Sequence, residues 1–74
     1  MLVRLSPRAA SYVRQEAAYL AQHNKGAAIR FVAMIRQVRE HLGQFAEAGF
    51  ADDSLPIKGM RRLIRDGYRF DYRI

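Results

Sequence analysis

The chain has no cysteine and no tryptophan, only two histidines and two prolines, and few acids: seven Asp and Glu against thirteen Lys and Arg. Without cysteine there are no disulfides and no thiolate metal sites, and two histidines are too few for a His-based zinc centre. The fold has to rest on packing. No apolar run approaches the ~20 residues that span a bilayer, and Arg4, Pro7 and Arg8 interrupt the N-terminus where a signal peptide would need its apolar stretch. The expectation is a cytoplasmic protein with no membrane association.

What is present suits a small folded protein. Half of the 74 residues are hydrophobic and 27% are charged, a balance that permits a core and argues against disorder. The length allows one domain over residues 1–74, of marginal stability because a chain this short buries only about 60% of its unfolded surface. The formal charge is +6, and eleven of the thirteen cations are Arg, which favours bidentate contact with carboxylate or phosphate. Such a surface attracts acidic protein segments or nucleic-acid backbone over long range.

Met1 to Leu5, mostly apolar, read as a short strand running into Ser6-Pro7, a helix N-cap followed by a proline at the first helical position. Ala9, Val13, Ala17 and Leu20 then recur at helical spacing to about His23, with Tyr12 and Tyr19 beside them. Asn24-Lys25-Gly26 breaks the pattern and offers Asn24 as a second cap. So short a link predicts an antiparallel helical hairpin. Ala28, Phe31, Ile35, Val38 and Leu42 form the apolar stripe of the second helix, which Gly43 should end. Gln44 to Lys58 carry Gly49, Asp52, Asp53, Ser54 and Pro56 with no sustained period, a long surface connection with room for a turn of helix near Phe45 to Ala48.

The last residues change character. Met60 to Arg65 and Tyr68 to Ile74 flank Asp66-Gly67, a dipeptide suited to a two-residue type I′ turn. That register sets Arg65 against Tyr68, Leu63 against Phe70 and Arg61 against Tyr72 on one side, and Ile64 against Arg69, Arg62 against Asp71 and Met60 against Arg73 on the other. The side bearing Leu63, Tyr68, Phe70, Tyr72 and Ile74 is expected to cover the helices, leaving Arg62, Arg69 and Arg73 more exposed. The fold class is therefore α+β, in the order β-α-α-β-β, with a helical hairpin packed on a small antiparallel sheet.

The residues offer little to a catalyst. His23 and His41 fall near helix C-termini, where His⁺ is a dipole partner, and Tyr68 and Tyr72 alternate along a strand as core residues do. Glu16, Glu40, Glu47, Asp52 and Asp53 are scattered without motif spacing, and no glycine-rich phosphate loop is present. No catalytic residue, metal site or cofactor is expected. The concentrated feature is Arg61, Arg62, Arg65, Arg69 and Arg73: with Lys58 they place six cations in residues 58–74 against Asp66 and Asp71 alone. Arginines interleaved with aromatics on a ribbon can grip RNA or meet an acidic protein surface.

Leu5-Ser6-Pro7 leading into a helix, Asn24 followed by Ala27-Ala28 and Arg30-Phe31, Gly59-Met60-Arg61-Arg62-Leu63, and Tyr68-Arg69-Phe70-Asp71-Tyr72-Arg73-Ile74 together resemble the ParE branch of the ParE/RelE toxin superfamily. The resemblance spans nearly the whole chain. It implies the toxin of a type II toxin–antitoxin pair, a plasmid stabilisation protein with a hairpin of helices on an antiparallel sheet, neutralised by a cognate antitoxin. ParE-like members are associated with poisoning of DNA gyrase, RelE-like members with cutting messenger RNA on the ribosome. The expectation is a binding toxin whose target contacts are Arg61, Arg62, Arg65, Arg69 and Arg73. The alternatives are a ribosome-dependent endoribonuclease and a degenerate, non-toxic member.

Family members usually continue with a further strand past the position of Ile74, and often carry a proline early in the loop that here begins at Gln44. The first difference implies an open sheet edge. An antitoxin tail could add there as a strand, or lie as a helix along apolar flank of the helical hairpin, for which Tyr12, Tyr19, Phe31, Ile35 and Val38 are the candidates. Self-association of the isolated chain is the corresponding expectation.

Overall fold

A computed structural model describes residues 2–51 and 54–74. Two helices, α1 (Pro7–His23) and α2 (Lys25–Gln44), precede a hairpin of β1 (Arg61–Arg65) and β2 (Tyr68–Tyr72), an α+β layout with a small open sheet. The chain divides into two compact units, residues 2–40 and 41–74.

In the first unit the capping residues set the helix limits. Ser6 Oγ accepts from the Ala9 N–H at 3.1 Å, and Pro7 occupies the first turn, where its missing N–H costs no intrahelical bond. Asn24 serves both helices. Its N–H donates to the Leu20 carbonyl at 2.7 Å to close α1, and its Oδ1 accepts from the Ala27 N–H at 3.0 Å to open α2. Late in α2, Arg39 Nη2 donates to the Val3 carbonyl at 2.9 Å. The segment that leads into α1 therefore lies beside the far end of α2, as an antiparallel pair requires. The stripe of α2 is the core of this unit: Ala28, Phe31, Ile35 and Val38 are buried, Val38 most completely at 1% exposure, and Met34 joins them; Leu42, in the second unit, is buried too.

Leu2–Leu5 form no strand, contrary to the sequence expectation for Met1 to Leu5, of which Met1 lies outside the described residues. The Val3 carbonyl, which a ladder would have paired with a backbone N–H, instead accepts from the Arg39 guanidinium.

The second unit is organised by the β-hairpin. Asp66 and Gly67 have φ of 54° and 81°, the two left-handed conformations of a type I′ turn, and the register is the expected one, from Arg65↔Tyr68 to Arg61↔Tyr72. Leu63, Tyr68, Phe70 and Tyr72 are half-buried. Ile74, expected with them, is exposed, because it lies beyond β2 where no ladder holds the alternation. Arg62, expected on the open side, is half-buried by its neighbours on both flanks. The segment read as a long surface connection is partly tied down. Phe50 exchanges two backbone hydrogen bonds with Arg62, at 2.9 and 2.8 Å, and Leu55 is buried. Phe45 to Ala48 make a single turn, closed by Ala48 N–H to the Phe45 carbonyl, and not a helical segment. Asp52 and Asp53 lie outside the described residues.

Candidate functional site: the arginine ribbon

The ladder sorts the five hairpin arginines by face. Opposed residues share a face, so Arg61 and Arg65 lie with Leu63, Tyr68, Phe70 and Tyr72, whereas Arg62 lies with Ile64, Arg69 and Asp71. They are not one patch.

Nor are they chemically equivalent. Arg61 holds the preceding loop: its Nε and Nη2 donate to the Gly49 carbonyl at 3.0 and 2.6 Å, and Nη2 also reaches the Glu47 carbonyl at 3.0 Å. Tyr72, the cross-strand partner of Arg61, holds the same loop. Its hydroxyl donates to the Ala46 carbonyl at 2.7 Å and accepts from the Gly49 N–H at 2.9 Å. Gly49 is buried in this clamp, and a Cβ there would lie 2.7 Å from the Arg62 carbonyl oxygen and 2.8 Å from the Tyr72 ring and hydroxyl. Sequence reading missed this role of Gly49 and Tyr72, since nothing local marks a contact across more than twenty residues.

Arg62 is engaged with a carboxylate. Its Nε and Nη2 donate to Asp71 Oδ1 and Oδ2 at 2.7 and 3.0 Å, a bidentate fork. The backbone explains why the two side chains meet. Arg62 spends its N–H and C=O on Phe50, so it faces Asp71 as a non-hydrogen-bonded pair, the kind that brings side chains closest. The Arg62 hydrogen bond holds the Asp71 carboxyl below its ordinary value of 3.8, aided by the charges of Arg62 and Arg69 and opposed by partial burial. Since the folded chain binds that proton less tightly than the unfolded one, the pair contributes its stability above pH 3.8 and loses it as pH falls through the lowered value. Asp71→Asn should therefore cost less than about 1 kcal/mol at neutral pH, the pair being partly exposed, and nothing in acid. Thermal melts of both proteins across pH 2–7 check it.

Arg65, Arg69 and Arg73 make no hydrogen bond or ion pair among the described residues; Arg69 and Arg73 are exposed and Arg65 is half-buried. Of the five hairpin arginines, these three offer a guanidinium to a partner without first leaving a hydrogen-bond partner among the described residues. Among the candidates on the helices, Tyr12 and Tyr19 are exposed, with Tyr19 edge-on to His23 at 4.7 Å. Phe31, Ile35 and Val38 are buried in the core of the α2 stripe, at 4%, 9% and 1% exposure. His23 ends α1 and His41 lies in the last turn of α2, its ring 5.2 Å from that of Phe45, and neither is on the hairpin. Among the described residues no cluster of His, Asp and Glu could hold a metal ion, and no helix is long and apolar enough to cross a membrane.

No curated protein and no solved structure gave a match to the sequence. A family model described as the ParE toxin of the type II toxin–antitoxin system parDE matches residues 3–74, a span that takes in both helices, the Gly49 clamp and the whole hairpin. The chain belongs to the ParE toxin family of type II toxin–antitoxin systems.

Proposed function

We propose that this chain is a cytoplasmic toxin that arrests growth by binding a protein target, DNA gyrase being the first candidate, and that its cognate antitoxin neutralises it by direct contact. The family match over residues 3–74 carries the reading, since a toxin of this kind implies an antitoxin partner. Two features support binding over RNA cutting. RNA cleavage without a metal needs an acid and a base beside the scissile phosphate, and the hairpin arginines have no histidine among them. On the hairpin, Arg69 and Arg73 are exposed and make no hydrogen bond or ion pair among the described residues, which suits them to holding an acidic surface. The antitoxin contact is assigned to the α1 flank bearing Tyr12 and Tyr19, both exposed aromatics. The test is a DNA supercoiling assay. Purified chain should inhibit gyrase, and antitoxin added in equimolar amount should restore supercoiling; full gyrase activity at saturating toxin would overturn the choice of target.

A further inference from the structure

The structure gives the hairpin a second face, which the arginine count alone does not reveal. Phe50, Arg62 and Asp71 form one row across the ribbon, because Phe50 pairs with Arg62 on one flank and Asp71 pairs with it on the other. The next row is Ile64 opposite Arg69. Arg62 and Asp71 neutralise one another in the middle. Around them stand two apolar side chains that monomer packing leaves out, Phe50 at 47% and Ile64 at 56% exposure, and the exposed guanidinium of Arg69. Arg73, two residues beyond Asp71, adds a further exposed cation next to β2.

From this arrangement we infer that the face formed by Phe50, Ile64 and Arg69 is the docking surface for an acidic protein segment that presents apolar side chains to Phe50 and Ile64 and a carboxylate to Arg69. This inference rests on the reading of the chain as a protein-binding toxin and assigns the surface it uses. Charge complementarity selects the occupant: with Arg62 and Asp71 cancelling, the face keeps the charge of Arg69, with Arg73 beside it, within a chain of net +6. An apolar centre with charge at its rim is the anatomy of a protein interface. Nucleic acid fits less well. One guanidinium of the face is already forked onto a carboxylate, that carboxylate repels phosphate, and an exposed Ile has no base edge or phosphate to recognise.

The test uses the full chain expressed from an inducible promoter, with growth arrest as readout and thermal melting of the purified proteins as the folding control. Ile64→Glu sets a carboxylate directly across from Arg69, so the hairpin gains a cross-strand ion pair while the face loses its aliphatic centre and a free cation. Arg69→Glu reverses the cation, and Arg69→Lys keeps it. Arg14→Glu makes the same charge change on an exposed position of α1. The expectation is a loss of arrest of at least about tenfold in inducer requirement for Ile64→Glu and Arg69→Glu, and at most about twofold for Arg69→Lys and Arg14→Glu. Full arrest by both glutamate variants overturns the docking face and leaves the toxin reading standing. An equal loss in Arg14→Glu also overturns it, because net charge would then be sufficient. If instead a fluorescent single-stranded 20-mer binds the wild type with a steep salt dependence that Arg69→Glu abolishes, the occupant is nucleic acid and the inference fails. Absence of arrest by the wild type overturns the toxin reading itself, and the face with it.

Discussion

Phe31→Ala is expected to unfold the chain under most working conditions. Phe31 is 4% exposed and stands in the middle of the α2 stripe, between Ala28, Met34 and Ile35, all buried. Truncating a buried phenylalanine costs about 3–5 kcal/mol, and small domains have little more than that in total. In a chain of this size each kcal/mol shifts the melting temperature by roughly 4–8 °C, so the variant should melt at least about 12 °C lower. Tyr19→Ala provides the contrast. Its side chain is exposed, so its melting temperature should stay close to that of wild type, a change within about 0.5 kcal/mol. If antitoxin capture fails for both variants, only Tyr19→Ala reports on the interface. Scanning calorimetry of the two proteins checks the pair of expectations, and a Phe31→Ala chain that melts like wild type would contradict the assignment of the core.

Gly49→Ala is expected to destabilise the second unit by overpacking. Its Cβ would meet the Arg62 carbonyl oxygen at 2.7 Å, and that atom is backbone of β1, already accepting from the Phe50 N–H. The other near atoms belong to Tyr72, whose hydroxyl is fixed by the Ala46 carbonyl and the Gly49 N–H. Neither neighbour can yield without giving up hydrogen bonds, so a cost of about 1–3 kcal/mol is expected from overpacking. The consequence is local as well as global. Residues 46–50 should detach from β1, and hydrogen exchange at the Phe50 and Arg62 amides should accelerate toward the rate of open chain. Tyr72→Phe, which removes both hydroxyl contacts and adds no bulk, should reproduce part of this acceleration. Unchanged protection of the two amides in Gly49→Ala would show that the loop is not held as described.

The same clamp marks the boundary of what the sequence disclosed. Both helices, their caps at Ser6 and Asn24, the α2 stripe and the hairpin register were legible because each depends on residues a few positions apart: a cap and its N–H, a 3.6-residue period, a dipeptide that fits one turn. Leu2–Leu5 misled for the converse reason. A short, mostly apolar segment before a helix cap reads as extended, but a strand needs a partner, and the Val3 carbonyl goes to the Arg39 side chain. Phe50 and Gly49 sat in a stretch without period, and their pairing with residues of β1 and β2 follows from chain closure that no local pattern encodes. The candidate site was legible only as composition. Five arginines in thirteen residues stand out, but Arg61 on two carbonyls and Arg62 on Asp71 are structural, and only their side-chain partners separate them from Arg65, Arg69 and Arg73. For that reason a double change at Arg61 and Arg65 would mix loop release with loss of target contact, whereas changes at Arg69 would not.

The supercoiling assay is best run with the RNA of the same arrested cells mapped at its 5′ ends. A toxin that binds its target leaves messages with no new ends at codon spacing, while gyrase loses activity in proportion to toxin and recovers it with antitoxin. Codon-phased breaks that appear on induction, together with gyrase that supercoils normally at saturating toxin, would contradict the account and make the chain a ribonuclease.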